Sequence, residues 1–128
     1  MNALRQGLEA AAVRASTIVG PDTAARRYRF SADFVGFRGH FPGDAILPAI
    51  VQLQVVVALA QELSGTPLCL AAVPSAKFLL PIRPCEDVEV RYRHRSAASG
   101  GRYDATLTVA DRTVSSFSLE LTADRDAA

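Results

Sequence analysis

The sequence lacks most of the features that would announce a function directly. Lys77 is its only lysine, so the basic side chains are nearly all arginine. Formal net charge is +1, which gives no bulk electrostatic reason to expect nucleic acid or a membrane surface as partner. No run approaches the ~20 apolar residues of a bilayer span. The opening segment MNALRQGLEAAAVRAS carries Arg5, Glu9 and Arg14 where a secretory leader would have a continuous apolar core. A soluble, cytoplasmic protein is expected. The two cysteines, Cys69 and Cys85, have no metal-ligand spacing and too few companions for a disulfide framework. They read as free, buried thiols in a reducing compartment. With no His/Cys/Asp cluster and no glycine-rich phosphate loop, neither a metal nor a cofactor is expected.

What is present is an ordinary globular composition, 49% apolar and 21% charged over 128 residues. That length suits one domain, residues 1–128, with a sizeable core. The first dozen residues fit either a short helix or a frayed lead-in. STIVG and RRYRFSA flank the turn signal Gly20-Pro21-Asp22 and read as a hairpin. A loop follows, punctuated by Gly36, Gly39, Pro42 and Gly43.

Pro48 opens a helix, because its fixed φ suits the first turn and its missing N–H is not needed there. The segment from Ala49 to Leu63 is long enough for about four turns. Ile50, Val51, Leu53, Val55, Val56, Val57, Leu59 and Leu63 point in nearly every direction, so the helix should be buried on most sides. Gly65 and Pro67 end it. LCLAAVPSAKFLL, DVEVRYRHRS, RYDATLTVA and TVSSFSLELTA read as strands, with tight turns at Ser99-Gly100-Gly101 and Ala110-Asp111-Arg112. The pattern predicts an α+β hotdog fold, an antiparallel sheet wrapped around one long central helix. So apolar a helix in so small a chain also implies a second subunit, hence at least a dimer.

Two motifs carry a resemblance. Gly39-His40-Phe41-Pro42-Gly43 followed by Ile46-Leu47-Pro48 resembles the GHFPxxPIxPG signature of bacterial 3-hydroxyacyl-acyl-carrier-protein dehydratases. Ala76-Lys77-Phe78 with Pro81 and Pro84 resembles that family's KFxxPVxPGD segment. Phe37, the histidine loop and Val51-Gln52-Leu53 are most similar to the short dehydratases of aryl-polyene-type gene clusters. The chain departs from the pattern at four places. Ala45 stands for a proline, Pro48-Ala49 for PG, and Pro84-Cys85-Glu86 for PGD. Gln54, fourteen residues after the histidine, stands where the family carries Glu or Asp.

The resemblance implies dehydration of a 3-hydroxyacyl thioester on acyl carrier protein to the 2-enoyl thioester. Such a reaction needs a base, a donor for the leaving hydroxyl and a site for negative charge on the thioester oxygen. His40 is the candidate base, since an imidazole is partly neutral at working pH; the plain alternative is a histidine that bonds a loop carbonyl. Backbone N–H groups just after Pro48 can polarise the thioester carbonyl. In the family the amide at the position of Ala49 does this. Phe41, Pro42, Gly43, Pro48, Ala49, Ile50 and Phe78 are the expected substrate-binding residues, with His40 and Gln54 catalytic.

Gln54 leaves alternatives open. An amide can hydrogen-bond a departing hydroxyl but cannot protonate it. His40 can serve as base and then acid while Gln54 orients the hydroxyl or a water. Another subunit of a heterodimer can supply the carboxylate, or the chain can bind acyl thioesters without dehydrating them. A hotdog thioesterase is a further rival, and a buried amide satisfied by the loop is the plain reading of Gln54. Gln61 and Glu62 should face solvent or the dimer seam. His94, flanked by arginines, reads as a surface residue on its strand. Arg83, Arg91, Arg93, Arg95 and Arg102 are candidate contacts for an acidic carrier protein, set against a merely solvated basic face.

Overall fold

The computed structural model describes residues 3–13, 17–37, 45–97 and 100–124. In chain order the elements are α1 (Ala3–Ala11), β1 (Thr17–Ile18), β2 (Thr23–Arg29), a 3-10 turn (Val35–Phe37), α2 (Ala49–Ser64), β3 (Leu68–Phe78), β4 (Asp87–Ala97), β5 (Gly100–Val109) and β6 (Arg112–Ala123). All six strands form one antiparallel sheet in the order β1-β2-β4-β5-β6-β3. This is the hotdog arrangement. The lead-in, left open by the sequence, is helical. Among the described residues no helix is long and apolar enough to cross a membrane.

α2 occupies the bounds set by its flanking residues, one residue longer than expected at its C-terminal end. Its apolar residues face the sheet from several sides: Val51, Leu53, Val55, Val56, Val57 and Leu59 are buried. The opposing sheet face supplies Val88, Val90 and Tyr92 from β4, Tyr103, Ala105 and Leu107 from β5, and Leu119 and Leu121 from β6. The two-residue alternation of these positions is what a half-buried antiparallel strand produces. Ile50 is the exception on the helix, 56% exposed at its first turn.

α1 lies over an aromatic group formed by Phe30, Phe34 and Phe37, whose neighbouring ring centroids are 4.8 and 5.8 Å apart. Gly7 permits this approach, because a β-carbon there would come within 2.8 Å of the Phe34 ring. The helix thereby buries Leu8 and Ala11.

The hairpins show where local signals and register diverge. Ala110 and Asp111 both take left-handed conformations, φ 51° and 64°, and join Val109 to its partner Arg112 as a two-residue turn. The other turn differs from expectation: Gly100 and Gly101 are already in β5, paired with Ala97 and Ser96, so the connection falls on residues 98–99, outside the described residues. β2 starts earlier than RRYRFSA implied, because Ala24 and Ala25 are small enough to fit inside the sheet and pair with Tyr92 and Arg91.

The two sheet edges are unlike. β1 is two residues long, whereas β3 runs for eleven and is buried only at Leu68. Val73, Phe78, Leu79 and Leu80 are large apolar side chains left exposed along and beyond it, and Lys77 is exposed among them. The edge position also corrects the expectation for the cysteines. Cys69 lies on β3 with its Sγ 3.2 Å from Thr122 Oγ1, Cys85 lies in the β3–β4 connection, and both are free and exposed.

Candidate active site at the N-terminus of α2

His40, Phe41, Pro42 and Gly43 lie outside the described residues. The other candidates divide into three places. Pro48, Ala49 and Ile50 form the start of α2. Pro48 is the N-cap in an extended conformation, φ −63° and ψ 152°, with no side-chain cap. The first helical bonds run from the N–H groups of Val51 and Gln52 to the Pro48 carbonyl, both at 3.1 Å. The amides of Ala49 and Ile50 have no acceptor among the described residues, and both residues are exposed. Unaccepted first-turn amides carry the positive end of the helix dipole toward whatever binds there.

Gln54 occupies a second place. It is half-buried and lines a cavity of about 260 Å³ with Leu8, Arg5, Gln61, Leu68 and Asp124. Phe78 is the third, at the end of β3, 43% exposed and stacked on Phe117 with centroids 6.0 Å apart.

The buried polar side chain of this helix is Gln52, which sequence reasoning used only as a mark of resemblance. It is 4% exposed, and its Nε2 donates to the Leu47 carbonyl at 3.1 Å while its Oε1 has no partner among the described residues. Residues two apart on a helix project about 200° apart, so the two glutamines serve opposite faces. A second amide inside an otherwise apolar run was the available signal.

Gln61 is structural, its Oε1 accepting the Leu68 N–H at 2.8 Å, and Glu62 pairs with Arg26 at 2.8 Å. His94 corrects the expectation of a surface residue. It continues the inward series Val88, Val90, Tyr92, is half-buried, and stacks on the Tyr103 ring at 4.2 Å. With Tyr92, Ala60 and Leu63 it lines a cleft of about 200 Å³ at the opposite end of α2. Burial pushes the Tyr92 phenol up to about 12, so it stays a neutral hydrogen-bond donor.

Four of the five arginines expected to meet a carrier protein already have carboxylate neighbours. Arg91 pairs with Glu89, Arg93 with Asp22, and both Arg95 and Arg102 with Asp104, each at 3.3 Å. Such exposed pairs contribute little stability and leave the outer face a mixed lattice of charges. Among the described residues no cluster of His, Cys, Asp or Glu could hold a metal ion.

Comparison with known proteins agrees with this architecture. No curated protein matches the chain in sequence. Among solved structures, the dehydratase heterocomplex ApeI:P from Xenorhabdus doucetiae matches with a TM-score of 0.72 at 21% identity, covering 87% of this chain and 96% of that one. A protein from Erwinia carotovora subsp. atroseptica gives 0.67 at 22% identity, with 86% and 94% covered. A thioesterase from Pseudomonas aeruginosa gives 0.63 at 14% identity, with 84% and 78% covered. At these identities the structures share the fold. The profile of the ApeI-like family, described as ApeI dehydratase, matches residues 17–118, and the chain belongs to that family.

Proposed function

We propose that the protein dehydrates 3-hydroxyacyl thioesters carried on acyl carrier protein, releasing water and leaving the 2-enoyl thioester. The observation that carries this reading is the start of α2, which has no side-chain cap and where the Ala49 and Ile50 amides have no acceptor among the described residues. The thioester oxygen accepts from the Ala49 amide, which stabilises the negative charge that grows as C2 loses its proton to His40. The C3–O bond then breaks, and His40 returns the proton to the departing hydroxide, so the reaction ends with water and a neutral imidazole. Gln54 orients the hydroxyl or a water. Pro48, Ile50, Phe78 and the Phe41-Pro42-Gly43 segment wall the acyl thioester.

The chain works as a single domain in the cytoplasm, and pairs through the long β3 edge, where exposed backbone and apolar side chains fit a second subunit. A homodimer is the first choice. The second reading is a heterodimer whose partner supplies a carboxylate: the Gln54 amide has no acidic proton to give, and one protein of similar fold is a dehydratase heterocomplex.

The test incubates wild type with a 3-hydroxyacyl thioester on carrier protein and follows enoyl formation and free thiol separately. Enoyl product from wild type, lost by about 10²–10⁴-fold in His40→Ala, is the expected result. Free thiol without enoyl would make the protein a thioesterase. Activity that needs a second hotdog chain would establish the heterodimer, and thioester binding without either product a non-catalytic subunit.

A further inference from the structure

Gln52 is inside the core, two residues from the position that resembles a catalytic one, and its Oε1 has no partner among the described residues. A buried oxygen without a partner is destabilising, and an apolar side chain of the same length would avoid it. The other half of the amide explains its presence. Leu47, 1% exposed, donates its N–H to the Ile82 carbonyl at 2.8 Å, and its own carbonyl accepts from Gln52 Nε2 at 3.1 Å. The Gln52 backbone N–H meanwhile donates to the next carbonyl, that of Pro48, also at 3.1 Å. One residue thus holds two successive carbonyls.

The consequence is geometric. The Leu47 peptide groups are fixed at both ends, and the φ of Pro48 is fixed by its ring. Its ψ of 152° is the remaining freedom, and the Val51 and Gln52 amides on the Pro48 carbonyl remove it. The direction of the Ala49 N–H follows from that torsion. We propose that Gln52 is a positioning residue, clamping the Leu47-Pro48 segment so that the first amides of α2 are aimed at the thioester oxygen.

This rests on the dehydratase reading, with Gln52 acting through the backbone and touching no substrate. Removing the clamp should lower the rate of the chemical step more than it weakens substrate binding, because small misplacement of an oxyanion donor is felt in the transition state. It should change stability little, since one unsatisfied buried oxygen is exchanged for another.

The experiment compares wild type, Gln52→Met and Gln52→Glu on the carrier-bound 3-hydroxyacyl thioester, with thermal melts of each. Gln52→Met keeps the length and removes the donor. It should lose about 10²-fold in kcat with KM within about threefold of wild type, and keep its Tm within about 5 °C. Gln52→Glu can donate to the Leu47 carbonyl only while its buried carboxyl is protonated. Its kcat relative to Gln52→Met should therefore rise on acidification and fall away as pH increases, with both variants still folded. A kcat for Gln52→Met close to that of wild type, or a Gln52→Glu profile parallel to that of Gln52→Met, would overturn the proposal and leave the dehydratase reading standing. Wild type without enoyl formation would overturn both.

Discussion

The two ends of α2 are finished in opposite ways. At the C-terminal end a glycine cap and side-chain hydrogen bonds close the helix. Gly65 takes the left-handed conformation, φ 69°, and returns its N–H to the Gln61 carbonyl at 2.9 Å. Gln61 reaches on to the Leu68 amide, and Ser64 Oγ accepts from the Thr66 N–H at 3.2 Å. At the N-terminal end the cap residue is a proline with no side-chain cap bond, and the Ala49 and Ile50 amides have no acceptor among the described residues. A Ser, Thr or Asp at the cap would typically add about 1 kcal/mol. One end is built for stability, and the other forgoes it where a ligand's oxygen could serve as the cap.

The sharpest way to break this comparison is Ala49→Pro. Proline suits the first helical position, and the extended ψ of Pro48 tolerates a following proline, so the fold should survive. Only an N–H is lost. If that amide holds the thioester oxygen, kcat should fall about 10²–10³-fold. Unchanged kcat in a folded variant would remove Ala49 from the mechanism. Gly65→Ala is the mirror experiment. Nothing lies within 4 Å of the added carbon, so the cost is conformational, about 1 kcal/mol in a denaturant titration with turnover per folded molecule unchanged.

A smaller effect of opposite sign is expected at Cys85. Its φ of 66° is left-handed, at the position where the dehydratase signature has glycine. Its N–H donates to the Phe30 carbonyl at 2.7 Å, which holds the conformation in place. Cys85→Gly should stabilise the protein by about 0.5–1 kcal/mol, measured by the same titration.

The least effect is expected at Asp104. The Ser118 hydroxyl, 2.7 Å away, and the Arg102 and Arg95 guanidinium groups lower its pKa from the ordinary 3.8. The folded protein therefore binds fewer protons here than the unfolded chain. The associated stability is present above pH 3.8 and is lost as pH falls through the folded value. Asp104→Asn should flatten that acid limb in melts taken across the range, without altering turnover at neutral pH.

The contrast between the ends of α2 also separates what the residues disclose from what they do not. Pro48 and Gly65 act through their own backbone preferences, so the helix bounds were readable almost to the residue. The strands followed from alternation. Strand order did not, because it depends on contacts between distant segments. Hence Cys69 was expected inside, although β3 turns out to be an edge. His94 was misjudged because its charged neighbours outweighed the two-residue period shared with Val90 and Tyr92. Gln54 drew attention through a family position, whereas the role of Gln52 depends on a carbonyl five residues back, which only the fold brings to its amide.

The composition of the β3 edge has a practical corollary. Lys77 is the only lysine of the chain and stands exposed on that strand, opposite Ser116 of β6. An amine-directed reagent therefore has a single side chain to modify, and it lies beside the surface where a second subunit is proposed to sit. The labelling rate of that one side chain, followed by mass as protein concentration is raised, becomes an occupancy gauge for the strand. A rate that declines with concentration would record the edge being covered, molecule by molecule, with no substitution in the sequence.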